Sequence, residues 1–213
     1  MKVRTRPARH TRRVRIAAAA AAVTAGAAVA LTSVPAAAGT ASAGTPRFLK
    51  PGELPPHPTS PWYAGPVTAG QPDPLPICVG DALPSIATHR AYGTEFDTSA
   101  LQVTVVERNE RRAAAFAALL RKGLADCARR LMQQDPDMTA SKKYYGSLAV
   151  EDGAHVYGIH TAHAWGSSDI ALFSVGRDGR TVTVVKWAQM GTFQHAQVAD
   201  FRTTTVRAVD KLH

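Results

Sequence analysis

Ten of the fourteen prolines of this chain lie between residues 46 and 76. Proline has no backbone N–H and holds φ at about −65°, so this segment cannot form a helix or a central strand. The same segment contains five large apolar residues, Phe48, Leu49, Leu54, Trp62 and Tyr63. It is either a stiff spacer or an extended arm packed on a domain, and the aromatic residues favour the arm, because a spacer has no need of them. We predict a proline-rich N-terminal arm or linker over residues 44–77 and a folded domain over residues 78–213.

The first 43 residues have the order of a secretory signal peptide. Seven basic residues within the first fifteen precede an apolar stretch over residues 16–31, and two sites with small residues follow, ending at Ala38 and Ala43. This order predicts export and cleavage after one of the two sites, by either the general or the twin-arginine route. An uncleaved anchor is the alternative, but the stretch is rich in alanine and only weakly hydrophobic. We expect a secreted protein without a membrane span after cleavage, released or held at the cell envelope.

Most of the positive charge lies in this leader. The whole chain has a formal net charge of +9, whereas the residues from Gly44 onward contain 18 basic and 16 acidic side chains, a net charge of +2. A region so close to neutrality lacks the basic stripe that neutralises phosphates. We therefore predict that nucleic acid is not a partner.

Two cysteines, Cys78 and Cys127, follow the leader. In an oxidising compartment an even number of cysteines predicts a disulfide, and two buried free thiols are the alternative. In the chain-entropy model a bridge that closes a loop of about 50 residues stabilises the fold by roughly 4 kcal/mol. The spacing of the two residues does not fit a zinc site.

The periodicity of the remaining sequence predicts the order ββα-ββββ-α. The predicted strands cover residues 88–96, 101–107, 142–150, 155–165, 169–175 and 181–190. A long helix is predicted over residues 110–134, with Asn109 as its N-cap and apolar residues at steps of three or four, and a closing helix over residues 196–212. Successive hairpins with two helices predict the α+β class, with an antiparallel sheet of about six strands covered on one face.

Several features together resemble a known family. They are the segment Phe-Leu-Lys-Pro-Gly-Glu-Leu-Pro at residues 48–55, Cys78-Val79-Gly80 before the first predicted strand, the strand at residues 102–106 and the alanine-rich helix that carries Cys127. With them, residues 47–212 resemble the extracellular sensor domain of mycobacterial PknH-type serine/threonine kinases, which also occurs as free secreted or lipid-anchored actinobacterial proteins. The resemblance implies helices on one side of an antiparallel sheet, a cleft for an unidentified ligand and no catalytic residues. Members often have two disulfides, whereas this chain can form one.

Three histidines, His155, His160 and His163, lie within nine residues of one predicted strand. Alternation along a strand places His155 and His163 on one face and His160 on the other, with His155 and His163 about 26 Å apart. Such a separation is too large for one ion. We predict neither a metal site nor a cofactor.

Catalytic motifs are absent from the sequence. It has no nucleophile elbow, no Ser-x-x-Lys and no phosphate-binding glycine-rich loop. A pair of carboxylates for glycoside hydrolysis need not be close in sequence. A secreted hydrolase acting on cell-envelope material therefore remains the alternative function, although we favour a protein that is not an enzyme.

Aromatic residues provide the candidate binding site. Tyr157, His163 and Trp165 share one face of the predicted strand at residues 155–165, and Trp187 lies in the last strand. An aromatic cluster on an exposed sheet face binds small ligands, sugars or peptides, whereas core packing is the alternative explanation. Our leading hypothesis is a monomeric extracellular domain, sensor-like, that binds a small molecule, an envelope component or a protein partner through these four residues.

Overall fold

The computed structural model of the protein describes residues 45–213, so the predicted signal peptide over residues 1–43 lies outside the described part. Residues 45–213 contain seven strands and two α-helices. In chain order they are β1 (Tyr63–Ala69), β2 (Thr88–Gly93), β3 (Ser99–Val106), α1 (Glu110–Gln134), β4 (Met138–Leu148), β5 (Ala154–His163), β6 (Ser168–Asp178), β7 (Thr181–Met190) and α2 (Val198–Val209). Within these residues no helix has both the length and the apolar character needed to cross a membrane.

The strands form one antiparallel sheet in the order β1-β2-β3-β7-β6-β5-β4. The predicted α+β class, the long helix and the closing helix are confirmed. The sheet has seven strands rather than about six, and the long helix follows the third strand rather than the second. The additional strand is β1, which lies within the proline-rich segment.

Strand β1 accommodates a proline because it is an edge strand with an irregular register. It pairs with β2 alone, and the register shifts between Ala64 and Val67, so Gly65 and Pro66 fall outside the regular pairing. Proline is tolerated at sheet edges and bulges, where no ladder hydrogen bond is lost. Because of its prolines, this segment was not predicted to contain a strand.

Helix α1 begins where the sequence predicted. The Asn109 side chain accepts a hydrogen bond from the backbone N–H of Arg112 at 3.0 Å, which caps the first turn. One stripe of the helix is buried against the sheet, namely Ala113, Phe116, Ala117, Leu120, Leu124 and Cys127. These residues share a core cluster with Phe173 and Val175 of β6.

The expectation that helices cover only one face of the sheet is wrong. Ile170 and Leu172 of β6 point away from α1 and pack in a second cluster with Phe201 of α2. At Gly176 a β-carbon would lie 2.3 Å from Val209 of α2, so the helix rests directly on the strand. The reason is visible in β6, which is apolar at both odd and even positions and is therefore buried on both faces.

The N-terminal arm completes the cover on the α2 face. Leu49, Leu54 and Trp62 are buried in the same cluster as Phe201. The backbone of Leu49 is held at both of its polar groups, because its N–H donates to Gln102 Oε1 at 2.8 Å and its carbonyl accepts from the Tyr92 hydroxyl at 2.8 Å. Leu49, Leu54 and Trp62 of the arm are thus part of the hydrophobic core.

The predicted disulfide between Cys78 and Cys127 is confirmed, with a Cα–Cα distance of 5.1 Å. It ties the segment before β2 to α1. At the contact the Cys78 carbonyl lies so close to the helix that a β-carbon on Gly123 would be 2.7 Å from its oxygen. The same oxygen accepts a hydrogen bond from Arg130 Nη2 at 2.8 Å. Gly123 therefore lets the crossing segment lie against the helix.

We expect Gly123→Ala to lower the free energy of unfolding by about 1–2 kcal/mol, because overpacking against a backbone carbonyl outweighs the helix propensity of alanine. Urea unfolding of the disulfide-bonded protein measures the change. Ala118→Gly, at an exposed position of α1, is the matched control and reports the propensity effect alone. A Gly123→Ala protein that is more stable than the parent would contradict the proposed close contact.

Candidate functional site

A cleft opens on the α1 face of the sheet, at the ends of β3 and β7. Helix α1 packs mainly on β4, β5 and β6. The cleft has a volume of about 240 Å³, and no residue of α1 lines it. We call it the Lys186 cleft; its walls include Ile77, Ser99, Thr161, Asp169, Lys186 and Met190.

Lys186 is the unusual residue of this cleft. It lies on β7, the central strand of the sheet, between Leu101 of β3 and Phe173 of β6. Burial lowers the pKa of its ammonium group, and the nearby Asp169 carboxylate offsets part of this effect. Among residues 45–213 the ammonium has no hydrogen-bond or ion-pair partner. The side chain is half-buried, so burial disfavours the charged form while the ammonium still faces the cleft, where an anion can pair with it.

The rest of the cleft combines polar and apolar groups. Ser99 and Thr161 supply hydroxyl groups, and Asp169 supplies a carboxylate that accepts a hydrogen bond from Ser167 Oγ at 2.8 Å. Ile159, Ala171 and Met190 supply apolar surface. The cleft also contains a second carboxylate, that of Asp97, which accepts a hydrogen bond from the Met190 N–H at 2.6 Å. The arrangement suits a small ligand with one anionic group, a hydrogen-bond donor and a short apolar part.

The disulfide builds one wall of the cleft. Ile77 directly precedes Cys78, which the bridge to Cys127 fixes against α1. The side chain of Ile77 lines the Lys186 cleft on one side and the neighbouring surface around Cys127 on the other. The bridge therefore positions a residue that closes the cleft, in addition to stabilising the fold.

The structure does not bring the four predicted binding residues together. Tyr157 is 8% exposed and lies under α1, with its ring 5.0 Å from that of Tyr144. Trp187 is fully buried, in the cluster on the opposite face of the sheet. Neither residue lines the Lys186 cleft.

His163 and Trp165 form a separate pair at the end of β5, in which His163 is half-buried and Trp165 is exposed. Their rings stack with centroids 4.8 Å apart, and Trp165 is 75% exposed. His163 Nδ1 lies 3.6 Å from a carboxylate oxygen of Asp135, just beyond the end of α1. His163 ends β5 two residues after Thr161, and Trp165 lies in the turn beyond it, so the pair follows the cleft along the chain without lining it.

The histidines alternate between the faces of β5. His155 contacts Arg121 of α1, whose Nη1 lies 2.6 Å from Nε2, and the Tyr144 hydroxyl lies 2.8 Å from Nδ1. Burial, and then the charge of Arg121, lowers the pKa of His155, so the ring is neutral, and Nε2 accepts from Arg121 while Nδ1 donates to Tyr144. His160 faces the other side and contacts Phe193. Within residues 45–213 no three His, Cys, Asp or Glu side chains are grouped to hold a metal ion.

The cleft could not be predicted from the sequence, because its residues come from four strands and two loops. One signal was present, since Lys186 stands between Val185 and Trp187 in a strand whose flanking positions are apolar. A lysine in a strand buried on both faces is a candidate site residue, because its charge must be accommodated.

No protein-family model matches this chain, and no curated protein is similar enough to it to count as a match.

We expect Lys186→Met to raise the free energy of unfolding by about 1 kcal/mol near neutral pH, because it removes a charge that partial burial disfavours. Since the pKa of Lys186 is lowered in the folded state, the parent protein gains stability as the pH rises from that pKa towards 10.5. The advantage of the variant should therefore shrink at high pH. Thermal unfolding of both proteins across this pH range measures it; a destabilised variant at neutral pH would show that Lys186 has a structural partner.

Proposed function

We propose that this protein is an exported, sensor-like binding domain that takes a small carboxylate ligand in the Lys186 cleft. One observation carries the proposal, namely that Lys186 is half-buried on the central strand, lacks a hydrogen-bond or ion-pair partner among residues 45–213 and lines a cavity. A ligand carboxylate would pair directly with the ammonium, which Asp169 approaches without forming an ion pair. A charge-assisted hydrogen bond in a half-enclosed site is stronger than one at the open surface.

The other groups of the cleft narrow the ligand class. The Asp169 carboxylate repels a second negative charge and accepts a hydrogen bond, so it favours a hydroxy or amino substituent beside the carboxylate. The volume of about 240 Å³ lies below the range of roughly 300–1,000 Å³ that holds drug-sized ligands, and so favours a small one. A short hydroxy acid or amino acid meets these conditions.

The sequence of the leader and the disulfide support a role as an extracellular binding domain. The leader has the order of a signal peptide, and the Cys78–Cys127 disulfide is typical of an oxidising compartment. The resemblance of residues 47–212 to PknH-type sensor domains favours the same role, with the ligand recognised outside the cell.

Lactate and alanine are the probes for this proposal, with ethanolamine as a control that lacks a carboxylate. In NMR titrations of the disulfide-bonded protein we expect lactate or alanine to shift the backbone amide signals of Ser99, Thr161 and Lys186, and ethanolamine to have no effect. Lys186→Gln should weaken binding roughly tenfold or more, since it removes a hydrogen bond from a charged group. Lys122→Gln, at an exposed lysine of α1, should leave the affinity unchanged.

The affinity should also fall as the pH rises through the pKa of Lys186, because only the ammonium form attracts a carboxylate. Since burial lowers that pKa, the loss begins at a lower pH than for an exposed lysine. Affinity that does not respond to Lys186→Gln or to pH would contradict the proposed role of this residue.

Hydrolysis of a cell-envelope substrate is the second candidate, because the cleft pairs a lysine of lowered pKa with the Asp169 carboxylate. A hydrolase would release soluble fragments from purified envelope material, and Asp169→Asn would abolish that release. Ligand binding without any release of fragments favours the binding domain.

A further inference from the structure

A second, larger cavity lies on the opposite face of the sheet from the Lys186 cleft. The N-terminal arm at residues 45–48 forms one wall, and β1, β2 and β3 form the floor. Its volume is about 430 Å³, within the usual range of roughly 300–1,000 Å³ for small-molecule sites. We call it the arm groove.

The arm groove is apolar along most of its length. It is lined by Phe48 of the arm, Val67 of β1, Ile86 of the segment before β2 and Val106 of β3. Three of these apolar side chains, those of Val67, Ile86 and Val106, are exposed to solvent, and all three line the same groove. A contiguous apolar patch of this kind is a feature of binding grooves.

The charged groups around the groove have one sign. Arg47 and Arg90 line it, and no acidic residue does. The Arg90 Nε–H donates to the Gly65 carbonyl at 2.8 Å, and the guanidinium lies 5.6 Å from the centre of the Tyr92 ring, so the side chain is held beside the groove. Among residues 45–213 neither guanidinium forms an ion pair. An apolar groove with two unpaired cations favours an amphipathic anion.

A buried polar atom lies in the same place. Thr104, on the floor of the groove, is 3% exposed, and its hydroxyl has no hydrogen-bond partner among residues 45–213. Arg90 pairs with Gln102 across β2 and β3, so Thr104 is its diagonal neighbour on the same face, about 7 Å away. A carboxylate between the two residues would accept from both the guanidinium and the hydroxyl.

We propose that the arm groove binds a free alkyl carboxylate, with the carboxylate between Arg90 and Thr104 and the alkyl chain between Phe48, Val67, Ile86 and Val106. Arg47, on the arm, adds positive charge from the opposite wall. This site is independent of the Lys186 cleft, from which the sheet separates it.

Decanoate is the probe, with decanol and decyltrimethylammonium as controls of the same chain length. In NMR titrations of the disulfide-bonded Lys186→Gln protein, which lacks the lysine of the other site, we expect decanoate to shift the amide signals of Val67, Arg90 and Thr104. Decanol should bind at least tenfold more weakly, because it offers no counter-charge to the arginines, and decyltrimethylammonium should not bind.

Two variants test the residues. Arg90→Gln should weaken decanoate binding roughly tenfold, and Ile86→Glu, at an exposed position that tolerates a polar side chain, should abolish it by placing a negative charge at the groove. Arg111→Gln, at an exposed arginine of α1, should leave it unchanged.

Three results would overturn the proposal. The first is equal affinity for decanol and decanoate, and the second is a set of shifted amide signals that maps away from the groove. The third is binding to vesicles of anionic phospholipid without binding of free decanoate, which would make the groove a membrane-contact surface.

Discussion

The central strands of this sheet are apolar on both faces, and the rest of the fold follows from the need to cover them. In β6, Phe173 and Val175 face α1, while Ile170 and Leu172 face α2. The 25-residue helix α1 covers one face, but α2 has only 12 residues and cannot cover the other. The N-terminal arm supplies the missing cover, and its backbone amide and carbonyl at Leu49 are satisfied by Gln102 and Tyr92. The arm is therefore part of the core, despite its prolines.

Both candidate binding sites are places where this cover is incomplete. On the α1 face, the ends of β3 and β7 remain open and Lys186 lies in the gap, with Ile77 held at its edge by the disulfide. On the α2 face, the gap lies between the arm and the strands β1–β3, and Arg90 and Thr104 lie there. In each gap a polar or charged group has no partner among residues 45–213. Sites of this kind reduce stability, which is a common cost of function.

Local patterns predicted much of the fold but little of the site. Asn109 and the apolar spacing after it fixed the long helix, and strand alternation placed His155 and His160 on opposite faces. Strand β1 escaped prediction because Pro66 is tolerated only by the register shift of an edge strand. We predicted cover on one face of the sheet only, although β6 is apolar at both odd and even positions. The Lys186 cleft depends on which strands are neighbours, and Trp187 was chosen for its residue type although it belongs to the core.

The central claim is that Lys186 is a half-buried cation without a partner among residues 45–213 and that it binds the carboxylate of a ligand. The most direct test is the pKa of its side chain, measured from the ¹³Cε chemical shift of labelled lysine in the disulfide-bonded protein, with and without a saturating small carboxylate. The account predicts a pKa below the ordinary value of 10.5 in the free protein and a rise when the carboxylate binds. A pKa at the ordinary value, or one that does not respond to any small carboxylate, would contradict it.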